Sequence, residues 1–135
     1  MSRYKILNQQ GINFVTLTVV DWIDVFIRKK YKEIILESLQ HCQNEKGLIL
    51  YSYVIMTSHI HLIVSTKEGC ELSNVLRDFK KFTANKILSE IQTGGYESRQ
   101  EWLLHKFAYN GSISVGRRNY KVWQGDNHPI LLINL

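Results

Sequence analysis

Tyr53-Val54-Ile55-Met56-Thr57-Ser58-His59-Ile60-His61-Leu62-Ile63-Val64 is the stretch that decides the fold. Apolar and β-branched residues surround a His-x-His pair, and this composition predicts two strands joined by a tight turn. Because side chains alternate along a strand, His59 and His61 share one face, and the apolar residues between and after them pack against helices. Two imidazoles on one face of a rigid strand are a candidate pair of metal ligands. The alternative is two ordinary strand histidines that bond to the backbone.

The residues on either side of this stretch predict the rest of the fold. Strands are expected at 13–20, 48–56 and 58–66, and a fourth strand is expected from two pieces, 121–123 and 129–132. Helices are expected at 30–45 and 72–92, ended by Gly47 and Gly94-Gly95, and a shorter third helix is expected from a Ser98 cap to Phe107. Residues 110–112 are predicted to form a turn, and the pattern of residues 21–26 fits either a loop or a short strand.

The order β-α-β-β-α-(α)-β predicts an α+β, ferredoxin-like split β-α-β fold. Its antiparallel sheet carries the helices on one face, and the histidine strand is central. On the second helix an apolar stripe recurs at spacings of three and four, which predicts the buried face: Leu72, Val75, Leu76, Phe79, Phe82, Thr83, Ile87 and Ile91. Arg77, Lys80 and Lys81 are placed on the opposite, solvent face. Trp102 and Trp123 are expected in the core.

The composition fits one soluble domain spanning 1–135. Hydrophobic residues make up 44% of the 135, with one Pro, so a disordered chain is excluded. No apolar run approaches the roughly 20 residues of a membrane span, and no signal peptide is evident, which predicts a cytoplasmic protein without a membrane partner. Two distant cysteines exclude a disulfide framework or zinc ribbon.

Positive charge is concentrated in two segments. The net charge is +5, from 17 Lys and Arg against 12 Asp and Glu. A basic excess favours a polyanionic partner. The candidate DNA-binding residues are Arg77, Lys80 and Lys81 in the second helix, and Arg117, Arg118 and Lys121 around Tyr120. An aromatic ring among cations is typical of single-strand binding. The alternative is a solvated helix face and an exposed turn.

Three blocks together resemble a known family. The stretch 53–63, the segment Leu76-Arg77-Asp78-Phe79-Lys80-Lys81-Phe82-Thr83 and the segment Val122-Trp123-Gln124 are similar, in order and spacing, to the single-tyrosine HUH transposases, in particular the REP-associated tyrosine transposase-like branch. The similarity runs from Asn13 to about Leu132. It implies a ferredoxin-like fold, and His59 and His61 as ligands of Mg²⁺ or Mn²⁺. It also implies cleavage and strand transfer of single-stranded or hairpin DNA through a 5′-phosphotyrosine.

The chain departs from the family at its nucleophile. In the family a tyrosine lies beyond the fourth strand, on a helix of the pattern D-Y-I-x-x-N-P, and this sequence ends at Ile133-Asn134-Leu135. The resemblance therefore predicts a truncated member without that helix, whose catalysis is impaired. Tyr120 is the weak substitute candidate. A metal also fits the chemistry, because attack on a phosphodiester needs its charge neutralised.

Two other readings stay open. A truncated relative can act only as a nucleic-acid-binding module, without chemistry. A third reading is a sheet-mediated dimerisation domain without nucleic acid. A homodimer is compatible with each reading, because the resemblance implies pairing through sheet edges or exchanged helices.

Overall fold

The computed structural model describes residues 5–133. Its four strands are β1 (Ile12–Thr18), β2 (Leu48–Ile55), β3 (His59–Thr66) and β4 (Ile130–Ile133). Its three α-helices are α1 (Lys29–Glu45), α2 (Leu72–Thr93) and α3 (Gln100–Ile113). Between β1 and α1 the chain forms two 3₁₀ turns, Val20–Trp22 and Val25–Ile27, so the segment 21–26 is neither strand nor plain loop. None of the helices in 5–133 is long and apolar enough to cross a membrane.

The strands form one antiparallel sheet in the order β2-β3-β1-β4. This is the order of the ferredoxin-like split β-α-β fold, and both predictions are confirmed: the fold class and the central place of β3. β3 pairs with β1 in a regular register that sets Thr16 opposite His61 and Leu17 opposite Ile60.

The core lies between the sheet and the helices. Ile60, Leu62 and Val64 are 0–1% exposed, and they meet the stripes of α1 and α2. All but one of the residues predicted for the α2 stripe are buried. The exception is Phe82, which is 45% exposed and lies at the flank of the stripe, against His41 of α1. The prediction for Trp102 is also wrong, because its side chain is 49% exposed on α3, whereas Trp123 is buried.

Long-range contacts override local signals at α3. Ser98 does not cap this helix, because its hydroxyl accepts a hydrogen bond from Arg28 at 3.0 Å instead. The predicted turn at 110–112 is wrong, since these residues continue the helix. A Cβ on Gly111 would lie 2.6 Å from the carbonyl oxygen of Arg118, so this glycine permits the close approach of the following segment.

Of the two pieces predicted for the fourth strand, 129–132 is confirmed as a strand and 121–123 is not. Residues 130–133 form β4, whereas Trp123 makes only an isolated bridge to Val19. Between these two points the chain still follows the edge of β1. The Gln124 amide donates to the carbonyl of Thr18, and the Thr16 amide donates to the carbonyl of Asn127, both at 2.8 Å. The segment 118–127 is thereby fixed beside α2 and the sheet.

Candidate metal centre and nucleic-acid groove

His59 and His61 project from the face of β3 that the helices do not cover. The two rings are close, with centroids 4.8 Å apart and planes at 74°. Both side chains are partly buried, whereas the residue between them, Ile60, is fully buried on the other face. Strand alternation thus produces the shared face that the sequence predicts.

Hydroxyl groups engage one nitrogen of each ring. Thr16 Oγ1 lies 2.9 Å from His61 Nδ1, across the β1–β3 pair. Ser58 Oγ lies 3.4 Å from His59 Nδ1, a weaker contact. When Nδ1 carries the proton and donates it to the hydroxyl, the Nε2 lone pair stays available to a metal ion.

Aromatic neighbours restrain both imidazoles. Phe14 of β1 stacks on His61 with centroids 5.2 Å apart, and Trp22 meets the edge of His59 at 5.4 Å. Trp22 reaches this position from a left-handed backbone conformation with φ of +54°. Burial, together with the nearby His59, lowers the pKa of His61, which favours the neutral ring that ligates metals.

The chemistry of this pair fits part of a metal shell. Across residues 5–133, no third His, Cys, Asp or Glu joins the histidines to form a ligand cluster. A structural zinc site needs four protein ligands. Two imidazoles therefore fit a divalent ion that keeps open positions for water or phosphate oxygens.

A basic groove lies on the helix side of the sheet, between α2 and the segment 118–127. Its volume is about 530 Å³. Five of the predicted DNA-binding residues line it: Arg77, Lys80, Lys81, Arg118 and Lys121. Arg117 is exposed and does not belong to the lining. The structure therefore brings together two cationic segments that lie about forty residues apart in the sequence.

Lys80 does not lie on the solvent face, contrary to the prediction. Its ammonium group donates hydrogen bonds to the carbonyl oxygens of Gln124 (2.9 Å) and Gly125 (3.2 Å), and to Asn127 Oδ1 (2.9 Å). Burial, with help from the charge of Lys121, lowers the pKa of Lys80 to about 8. Lys80 thus ties the floor of the groove to the loop before β4.

The other two cations predicted for the solvent face, Arg77 and Lys81, are exposed as predicted. Arg77 pairs with the neighbouring Asp78 at 3.3 Å, a surface contact of small energy. Lys81 is exposed and lines the groove. Both side chains can reach a phosphate without rearrangement of the core.

Tyr120 lines the basic groove and packs, partly buried, against the core. It therefore lies on the helix side of the sheet, whereas the histidine pair lies on the other side. The structure does not bring this candidate nucleophile together with the candidate metal ligands. Nearby, the indole of Trp123 donates to Thr83 Oγ1 at 2.9 Å, which fixes the end of this segment on α2.

Sequence reasoning missed three neighbours of the histidine pair: Phe14, Thr16 and Trp22. Phe14 and Thr16 are two residues apart on β1, so the sequence predicts that they share a face. It does not predict the pairing register that sets them beside β3. Nothing in the local sequence indicates that Trp22 turns towards His59. Asn127 of the groove was missed for the same reason, since its partner Lys80 is 47 residues away.

Comparison with known proteins identifies the family. Residues 14–121 match the family model described as IS200-like transposase, which is more than half of the chain. The chain therefore belongs to the IS200-like transposase family. Among curated proteins, none matches it significantly.

Two solved structures share its fold. One is described as a REP-associated tyrosine transposase bound to a REP hairpin: identity is 16%, the TM-score is 0.63, and all of this chain aligns with 64% of that chain. The other is described as a putative transposase from Deinococcus radiodurans R1: identity is 9%, the TM-score is 0.50, and 80% of this chain aligns with 96% of that one. The chain thus spans somewhat less than two thirds of the hairpin-bound protein.

Proposed function

We propose that this chain is a transposase domain that binds single-stranded or hairpin DNA and supports its metal-dependent cleavage and strand transfer through a 5′-phosphotyrosine. The observation that carries the proposal is the histidine pair. Two rings 4.8 Å apart share an open sheet face, and a hydroxyl contacts the Nδ1 of each. Residues 1–135 act as one such domain in this proposal.

His59 and His61 would hold Mg²⁺ or Mn²⁺ through their Nε2 atoms. A bound ion would supply positive charge that polarises the scissile phosphate and offsets its negative charge. The chain's own contribution is orientation: Thr16 and Ser58 fix the ring nitrogens, and Phe14 and Trp22 fix the ring planes. A site with its ligands already in place binds without a large ordering penalty.

The basic groove would hold the DNA backbone. Arg77, Lys81, Arg118 and Lys121 are placed to contact phosphates, which positions the DNA without reading its sequence. The hairpin-bound relative supports a hairpin as the natural partner. Lys80 acts differently from its neighbours, because its three hydrogen bonds hold the groove together.

The rival proposal is a nucleic-acid-binding module without chemistry. One observation favours it: Tyr120 lies on the helix side of the sheet, on the far side from the histidines. The proposed cleavage therefore assigns its nucleophile to no numbered tyrosine, and identifying that residue is part of the test.

A hairpin oligonucleotide with single-stranded flanks and a 3′ label tests the proposal. With Mn²⁺, we expect a covalent protein–DNA product on a denaturing gel, and peptide mapping would identify the modified tyrosine. The His59→Ala, His61→Ala double variant and a chelator should each abolish it. His105→Ala, which removes an exposed histidine of α3, is the matched control and should keep it.

Each outcome separates the readings. Hairpin binding with steep salt dependence but no covalent product, in the parent as in the double variant, would leave the binding module as the function. No binding even at low salt would reject both proposals and leave the dimerisation reading. The free edge of β2, with Tyr53 and Val54 exposed, supports a proposed homodimer, which sedimentation of the parent tests directly.

A further inference from the structure

A second cavity lies between α1 and α2 and adjoins the basic groove at α2. Its volume is about 400 Å³, within the range of roughly 300–1,000 Å³ that is usual for ligand pockets. Polar and aromatic side chains line it, including Ser38, His41, Asp78, Phe82 and Asn85. We refer to this cavity as the interhelical cleft.

Phe82 gives the interhelical cleft an aromatic wall. The ring is 45% exposed, although Phe79 and Thr83, which flank it on the apolar stripe of α2, are buried. His41 stacks beside it with centroids 6.0 Å apart and planes at 19°, and the Lys86 ammonium lies 5.6 Å from its centroid. An exposed ring with a cation beside it is a surface on which a base can stack.

The floor of the cleft contains a buried hydroxyl group without a hydrogen-bond partner among residues 5–133. Ser38 is 1% exposed, and its hydroxyl makes no hydrogen bond to any residue in 5–133. Buried polar groups are nearly always paired, because an unpaired one is costly. At the rim, the Asp78 carboxylate accepts hydrogen bonds and the Asn85 amide both donates and accepts.

The cleft and the basic groove are neighbouring cavities that share two lining residues. Lys81 and Asn85 line both cavities, from opposite sides of the same ridge on α2. A strand whose phosphates lie along the basic groove therefore passes Lys81 at the mouth of the cleft. The neighbouring base can turn from the groove into the cleft.

We propose that the interhelical cleft receives one unpaired nucleobase of a strand held in the basic groove. The base stacks on Phe82, and its edge is bonded by Asp78 or Asn85 at the rim of the cleft. This inference rests on the proposed nucleic-acid binding and adds a base contact to what is otherwise a backbone contact. The cleft lies on the helix side of the sheet, apart from the histidine pair.

Two fluorescent probes test the inference with the full chain: an eight-nucleotide single strand containing all four bases, and an abasic strand with the same number of phosphates. Phe82→Ala should weaken binding of the first by about fivefold or more, the usual effect of losing one stacked base. Binding of the abasic strand should not change. Lys81→Ala should weaken both, with the salt slope reduced by about 0.7, because it removes a phosphate contact.

Matched variants separate the cleft from general damage. Trp102→Ala removes an aromatic ring of similar exposure on α3, outside the cleft, and should bind like the parent. Phe82→Trp keeps a stacking surface and should retain binding, whereas Phe82→Leu keeps only apolar bulk and should not. This pair decides the question even if Phe82→Ala is poorly folded.

If the parent binds the base-containing strand and Phe82→Ala and Phe82→Leu bind it equally well, the cleft holds no base and only this inference fails. The same holds if Phe82→Ala weakens the abasic strand to the same degree. If the parent binds neither strand nor the hairpin, the proposed function fails first and the inference fails with it.

Discussion

The histidine pair and the basic groove lie on opposite sides of one sheet and are built in different ways. Both histidines come from β3, and two of their four supporting side chains, Phe14 and Thr16, come from the adjacent β1. The groove is assembled from α2 and the segment 118–127, which polar contacts of Lys80 hold together. The pair should therefore be as rigid as the central strands, while the groove should respond to local changes.

The largest expected effect is on the core beneath the histidines. Ile60 is 0% exposed and lies between them on the opposite face. We expect Ile60→Ala to lower the free energy of unfolding by about 2–5 kcal/mol, measured by urea denaturation. Ile63→Ala, on the partly exposed histidine face, is the control and should lose less than half as much. Equal losses would contradict the assignment of the two faces.

A pH effect should distinguish the groove from the sheet. The pKa of Lys80 is about 8 in the folded protein and 10.5 ordinarily. Between these values the unfolded chain binds more protons, so the parent gains stability as the pH rises through this window. Relative to Lys80→Met, the gain should reach at most about 3 kcal/mol, since one pKa unit is worth about 1.4 kcal/mol.

Urea denaturation of both proteins from pH 7.5 to 10.5 measures this gain. Lys81→Met is the matched control, because burial of the ammonium produces the effect and Lys81 is exposed. A stability difference between the parent and Lys80→Met that stays constant across the window would show that Lys80 is not buried in the loop.

The sequence predicted the features that depend on periodicity. Alternation along β3 placed the two imidazoles on one face, and spacing of three and four placed the stripe of α2, because a regular element sets which side each residue faces. These predictions needed no knowledge of distant residues. Of the three blocks that resemble the family, the histidine stretch and the α2 segment lie in such elements, whereas Val122-Trp123-Gln124 does not.

The sequence could not predict contacts that cross the chain. A helical wheel places Lys80 in solvent, but its hydrogen-bond partners are 44–47 residues away. The local sequence predicts Ser98 as a helix cap, but its hydroxyl accepts a hydrogen bond from Arg28, which is 70 residues away. In both cases tertiary packing overrides a correct local preference, and the groove depends on such contacts more than the histidine pair does.

The support of the histidine pair can be tested through one hydroxyl. Thr16→Val removes the Oγ1 that lies 2.9 Å from His61 Nδ1 and keeps the shape of the side chain. Loss of such a supporting contact should weaken Mn²⁺ binding about 10–100-fold, followed by the Mn²⁺ electron paramagnetic resonance signal. Thr16→Ser keeps the hydroxyl and should bind like the parent. Unchanged binding in Thr16→Val would show that the ring needs no such support.

The smallest expected effect tests the close approach at Gly111, where two opposing tendencies predict opposite signs. Gly→Ala inside a helix normally stabilises it by about 0.5–1 kcal/mol. Here the new Cβ would lie 2.6 Å from the Arg118 carbonyl oxygen and 2.9 Å from the Tyr120 nitrogen, both backbone atoms. Such overpacking costs about 1–3 kcal/mol, so we expect a net loss of about 1 kcal/mol in thermal or urea unfolding. Gly125→Ala, whose Cβ meets nothing within 4 Å, should change stability little.

A stabilised Gly111→Ala would mean that the segment 118–121 moves freely, and DNA affinity should then be unaffected. With the expected loss, the segment is displaced, and the contacts of Arg118 and Lys121 with DNA should weaken while Mn²⁺ binding at the histidine pair is unchanged.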